Sequence, residues 1–227
     1  MFPDLTCDDV FRLETPRLWL RWPRLSDASI ISQIAGDKAI SELTAKIPHP
    51  YPPDAAEAFV FQARRTNTNG QSLTLVVCPK SKPNMVIGVV GIFQDNTGEA
   101  PQIGYWLGLK YWGQGLMSEA VQAMVTTYFN LTKEETLVAS TRLINPASQR
   151  ILEKCGFVFE GEGMYESLTD KQTFKVKNYR LTRTLWRKEN AEGIPFAQVA
   201  FLGQQVHRLP DAFVTVGSKL ELSAPVS

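Results

Sequence analysis

The chain has 227 residues, 44% of them apolar and 21% charged, enough to build and solvate one ordinary domain. A formal net charge of +1 excludes nucleic-acid binding driven by overall charge. No stretch reaches the ~20 apolar residues of a membrane span. Cys7, Cys78 and Cys155 are scattered and odd in number, and His49 and His207 are the only histidines. That pattern excludes a disulfide framework and a histidine-rich metal site, and it fits reduced thiols in a cytoplasm. The opening MFPDLTCDDVFRLE is acidic and lacks the apolar run of a signal peptide.

In chain order, RLWLRW (17–22) alternates apolar and polar residues and reads as a first strand. Ser26 or Asp27 can cap the helix that follows, and Gly36 can stop it. The proline-rich IPHPYPP is an irregular loop. A second helix starts at Pro53–Asp54 and carries Ala58, Phe59 and Phe61. SLTLVVC and MVIGVVGIFQ, separated by PKSKPN, read as a hairpin, and APQIGYWLGL as a further strand. Met117, Val121, Met124, Val125 and Tyr128 then recur on one face of a third helix. TLVASTRL (136–143) is a strand. NPASQRILEKCGF is a helix, with Asn145 as N-cap, Pro146 in the first turn and Gly156 as stop. FVFEGE and FKVKNYRLTRTLW pair as a last hairpin. From about residue 187 the character changes. RKENAEG reads as a linker, and FAQVAFLG and AFVTVGSKLEL as short strands. The order predicts a mixed α/β domain over 1–186 with a partly antiparallel sheet, and an extension over 187–227.

The stretch YWGQGLMSEA sits between a strand and a helix, with Gly113 and Gly115 flanking Gln114. Free N–H groups at a helix entry, together with the helix dipole, favour an anion, most simply a phosphate. A Walker loop requires Gly-Lys-Ser/Thr, and Gln114 and Leu116 do not supply it. A dinucleotide fingerprint requires a third glycine where Ser118 stands, and Glu134 and Glu135 fall before the next strand instead of at its end. An ordinary turn whose glycines permit tight packing stays open.

Three stretches in order, TPRLWLRWPRLSDA, YWGQGLMSEA and NPASQRILEKCGF, resemble the GNAT superfamily of N-acetyltransferases over residues 13–186, in its ribosomal-protein-alanine N-acetyltransferase branch. The resemblance implies a central, mostly antiparallel sheet of six to seven strands, flanked by about four helices and splayed at an acetyl-CoA site. Its diphosphate loop, Gln/Arg-x-x-Gly-x-Gly/Ala, falls on Trp112, Gly113, Gln114, Gly115, Leu116 and Met117. Trp112 stands for the usual Gln/Arg and Met117 for the usual small residue. The Met117 side chain is expected to point inward, as the first core residue of its helix. Trp106, Leu107, Gly108 and Asn145 are expected to hold the pantetheine arm.

The implied reaction is transfer of an acetyl group from acetyl-CoA to a primary amine by direct attack on the thioester, with no metal. The implied partner is an amine-bearing small molecule or a protein N-terminus, with neither nucleic acid nor membrane; a homodimer is compatible. The acidic residue that the branch carries two positions before GYW is Gln102 here, which cannot accept a proton. Glu99 acting through water, or His49 in the proline-rich loop, could replace it. Each also reads as an ordinary loop residue. Ser148 matches the NxxS serine that would protonate the departing sulfur, and also reads as a first-turn serine bonded to the cap. Tyr165 is a back-up acid or a pocket wall. Arg150 and Lys154 could reach the nucleotide phosphates or form a solvated face. Gln102 also admits a coenzyme A-binding regulatory module without turnover. A nucleotide-binding protein of another fold is the third reading.

Overall fold

Alternate residues of one strand enter two different cores, and this organises the molecule. The computed structural model describes residues 1–44, 46–94, 100–166 and 173–191. In β3 (Ser72–Pro79), Leu73, Leu75 and Val77 join the core built on α4 (Leu116–Leu131), while Val76 and Cys78 join the core built on α1 (Ala28–Ala35) and α3 (Ala55–Thr68). Both faces of β3 are therefore covered, and from Leu75 to Cys78 the run is continuously apolar.

Among the described residues one sheet of eight strands runs in the order β1-β2-β3-β4-β5-β6-β8-β7. The remaining strands are β1 (Arg12–Glu14), β2 (Leu18–Arg21), β4 (Gly88–Gln94), β5 (Pro101–Leu107), β6 (Thr136–Arg142), β7 (Val158–Glu166) and β8 (Thr173–Thr182). The remaining helices are α2 (Lys38–Leu43), α5 (Pro146–Lys154) and α6 (Arg183–Ala191). Both expected hairpins form, β3 with β4 and β7 with β8. Met117 is buried in the α4 core, as its place in the apolar stripe predicts.

The sheet is wider than the six to seven strands expected, and among the described residues the helices number six instead of about four. β1 is added by a short turn in which Thr15 Oγ1 and the Leu18 carbonyl and amide tie Thr15 to Leu18. α2 is a six-residue helix whose N-cap Asp37 accepts from the Ala39 amide at 3.0 Å. The third difference lies at RTLW, read from sequence as the end of a strand. It opens α6 instead, so the expected boundary at 186/187 falls inside a helix. The cause is Arg183, which is buried and donates to the carbonyls of Phe129, Thr132 and Glu134 just beyond and within the last turn of α4. Those carbonyls have no helical partner of their own. Trp186 then stacks on Phe129 at 5.3 Å between ring centroids. The two short strand candidates after residue 191 lie outside the described residues.

One junction in the sheet is unlike the rest. β5 is zipped antiparallel to β4 along its length, from Gln94–Pro101 to Gly88–Leu107. On its other side it meets β6 in parallel at Gln102–Val138 alone. Beyond that pair the two strands part, and the edge of β5 from Ile103 to Leu107 is left without a ladder partner in β6.

Replacing Arg183 with Met removes a buried charged donor from three carbonyls. The expected loss is about 2–3 kcal/mol, read as a lowered midpoint at unchanged slope in urea. A midpoint equal to that of the parent protein would contradict the capping role.

Candidate functional site

The gap between β5 and β6 opens towards the entry of α4. Gly113 and Gly115 both have φ of +73°, a backbone conformation that strains any residue with a Cβ. A Cβ at Gly113 would meet nothing within 4 Å. Tight packing against the protein is therefore not what this glycine serves. What it permits is the backbone turn itself, and unobstructed approach from outside.

Gly115 is the N-cap of the 16-residue α4 and supplies no side-chain cap. The loop's own side chains turn back on the preceding backbone: Trp112 Nε1 donates to the Leu107 carbonyl at 2.6 Å, and Gln114 Nε2 to the Lys110 carbonyl at 2.9 Å. Among the described residues no acceptor meets the N–H groups of Gly113 through Ser118. The result is a run of unpaired donors at the positive end of a long helix, suited to an anion of two or more oxygens.

These groups open onto a cavity of about 950 Å³. Of the residues expected from sequence to hold a cofactor, Trp106, Leu107, Trp112, Gly113, Gly115, Leu116, Met117 and Asn145 line it. Gly108 and Gln114 do not: the Gly108 amide donates to the Ile87 carbonyl at 2.8 Å, and the Gln114 side chain is turned back as above. Arg150, Lys154 and Tyr165 line the cavity, whereas His49 is exposed and does not. Glu99 lies outside the described residues.

Ser148 also lines the cavity, and its two polar ends have different partners. Its amide donates to Asn145 Oδ1 at 3.0 Å, which is the helix cap. Its Oγ lies 3.0 Å from the Tyr105 hydroxyl, so the side chain is not the capping group. Asn145 Nδ2 reaches the carbonyl of Leu43 at 3.3 Å and ties the start of α5 to the end of α2. Burial holds the Tyr105 phenol above the ordinary tyrosine range, so at neutral pH it remains a proton donor. Sequence reasoning missed Tyr105. Strand alternation could have found it: Gln102, Gly104 and Trp106 share one face of β5, and Tyr105 necessarily points to the other, where α5 lies.

The face carrying Gln102 and Gly104 forms a second wall. Lys46 Nζ lies 4.0 Å from the centre of the Phe93 ring, and the Arg142 guanidinium 3.8 Å from that of Phe174. Arg142 also donates to the Glu42 carbonyl. Lys46, Arg142, Arg150 and Lys154 all line the cavity, while no carboxylate or imidazole does so among the described residues. Among those residues no group of three His, Cys, Asp or Glu could hold a metal ion, and no helix is long and apolar enough to cross a membrane.

Comparison with known proteins identifies the family and the fold. The chain is 30% identical over 154 residues to "Uncharacterized N-acetyltransferase p20" of Bacillus licheniformis, a match spanning 66% of this chain and 83% of that protein. It is 32% identical over 81 residues to the ribosomal-protein-serine acetyltransferase of Escherichia coli (strain K12), spanning 35% of this chain and 45%, less than half, of that relative. The solved structure of RimL, a ribosomal L7/L12 alpha-N-protein acetyltransferase in complex with coenzyme A, superposes with a TM-score of 0.65 at 20% identity. That superposition covers 76% of this chain and 98% of the other, and at such identity it speaks for the fold. The family model "Acetyltransferase (GNAT) domain" matches residues 17–158, well over half of the chain, and by that match the protein belongs to the GNAT acetyltransferase family.

Proposed function

We propose that the protein transfers the acetyl group of acetyl-CoA to a primary amine, on a peptide N-terminus or a small molecule. One observation carries the reading: unpaired amides at the entry of α4 and the free edge of β5 face a single cavity. The diphosphate sits on the amides of residues 113–117. The pantetheine arm runs along β5 past Trp106 and Leu107, with Asn145 at the opposite wall, and the thioester lies where β5 and β6 part. The neutral amine nitrogen attacks the thioester carbon from the side of Gln102 and Gly104. An unpaired amide of β5 stabilises the negative charge that develops on the carbonyl oxygen. Holding amine and thioester together supplies much of the acceleration.

When the C–S bond breaks, the thiolate takes a proton from Ser148 Oγ; Tyr105 resupplies Ser148 and is itself reprotonated from solvent, where the proton released from the amine ends up. The attacking nitrogen loses a proton in the same sequence of steps. Gln102 cannot accept it, and in this reading Glu99 does so through water. An amine of pKa about 8–10 is mostly protonated at neutral pH, so the ammonium must first give up a proton to become the neutral nucleophile. A second reading, coenzyme A binding without turnover, draws on the neutral Gln102.

Release of free thiol from acetyl-CoA, measured against peptides, amino acids and polyamines, separates the two readings. Turnover is expected with at least one of the three classes. Tight coenzyme A binding with no thiol release across the panel would leave the binding module. Ser148→Ala and Tyr105→Phe are each expected to lower kcat about tenfold at unchanged KM for acetyl-CoA, a modest loss because a thiolate leaves readily. Glu99→Gln is expected to lower kcat/KM for the amine about a hundredfold. Wild-type rates in all three variants would remove these residues from the mechanism.

A further inference from the structure

Arg17 stands in the turn between β1 and β2, far from the diphosphate loop in sequence, and has no role in the chemistry above. Its contacts are nevertheless concentrated on that loop. Arg17 Nη1 donates to the Gln114 carbonyl at 2.9 Å. Arg17 Nε donates to Glu119 Oε2 at 2.6 Å, and the Arg17 amide to Glu119 Oε1 at 2.9 Å. Thr15 Oγ1 donates to the same Oε1 at 2.5 Å. Glu119 belongs to the first turn of α4, so one guanidinium holds both the loop and the helix it opens.

We infer that Arg17 is a positioning residue, which sets the diphosphate loop so that its amides face the cofactor; this rests on the acetyl-CoA site proposed above. Two physical effects carry it. In a trans peptide the C=O and the following N–H point in opposite directions. Arg17 draws the Gln114 carbonyl to its own side of the loop, a side that does not line the cavity. The Gly115 N–H is thereby turned the other way, and Gly115 does line the cavity. The orientation of this donor is thus fixed before any ligand arrives, and preorganised donors bind more tightly than mobile ones.

The second effect is electrostatic. Glu119 is an acid in the first turn of the helix, close to where the loop would receive an anion. Burial works to raise its pKa, but the hydrogen bonds from Thr15 and Arg17 outweigh burial and hold the carboxyl below the ordinary range. It is therefore a full negative charge, and Arg17 and Thr15 occupy both of its oxygens on the side away from the cavity. Without the arginine, that charge would oppose a diphosphate over a short distance.

A surface ion pair serving stability alone would look different in solution. The Arg17 side chain is 50% exposed and its Glu119 partner 13%, and a pair open to water on one side contributes modestly to stability. The positioning role predicts an effect that depends on the ligand. Donor kinetics on the full chain compare acetyl-CoA with S-acetylpantetheine, which ends before the diphosphate. In Arg17→Met the KM for acetyl-CoA is expected to rise about tenfold, while kcat and the KM for S-acetylpantetheine stay as in the parent protein. Arg17→Lys keeps the charge but loses the fork, and is expected to fall between the two. Should Arg17→Met fail to fold, Arg17→Lys carries the same two-donor comparison, with a smaller rise in the KM for acetyl-CoA alone expected.

Equal losses with both donors, or no loss with either, would overturn the assignment. Calorimetry of the parent protein with coenzyme A separates this failure from that of the site itself. Binding by the parent with no selective loss in the variants defeats Arg17 alone. No binding by the parent defeats the site and Arg17 together.

Discussion

The parting of β5 from β6 is the constraint on which the rest depends. Backbone donors and acceptors in a sheet are normally paired with the neighbouring strand. Here a parallel pair is made at Gln102–Val138 and then abandoned. β5 cannot simply move over to recover partners, because it is held along its whole length by β4. β6 is likewise held by β8 from Thr136–Thr182 to Arg142–Val176. Two well-paired half-sheets thus keep a gap open between them. α4 and α5 follow the strands that border the gap, so the entries of both helices lie beside it. The cavity, the unpaired amides and the Tyr105–Ser148 pair are consequences of this one arrangement.

Much of this was legible in the residues. Helical spacing from Met117 to Tyr128 located α4 and its buried face, and Asn145-Pro146 located the entry of α5. The pair of glycines marked a turn with positive φ, and the structure adds that the space beside Gly113 is open. The illegible parts have physical reasons. RTLW suits a strand by propensity, but a buried guanidinium on the carbonyls at the end of α4 makes it a helix; a tertiary contact of that kind leaves no local trace. β1 is three residues long, too short for periodicity to register. Arg17 and Glu119 meet across 102 positions of chain, and nothing in either local sequence announces the other. Tyr105 was available from strand alternation alone.

The chemistry of the cavity is uneven. The side towards α5 holds a donor pair suited to a departing thiolate, and the loop holds donors suited to a diphosphate. The side of Gln102 holds a neutral amide, where a proton acceptor would be useful.

The most direct test of the central claim follows the backbone amides of the protein by NMR as coenzyme A is added. The account predicts the largest shifts at the N–H groups of Gly113 through Met117, followed by those at the free edge of β5. Pantetheine alone should move the β5 signals and leave the loop where it was. Saturable binding that shifts other regions and leaves the 113–117 amides unmoved would contradict the placement of the diphosphate, and with it the assigned reaction.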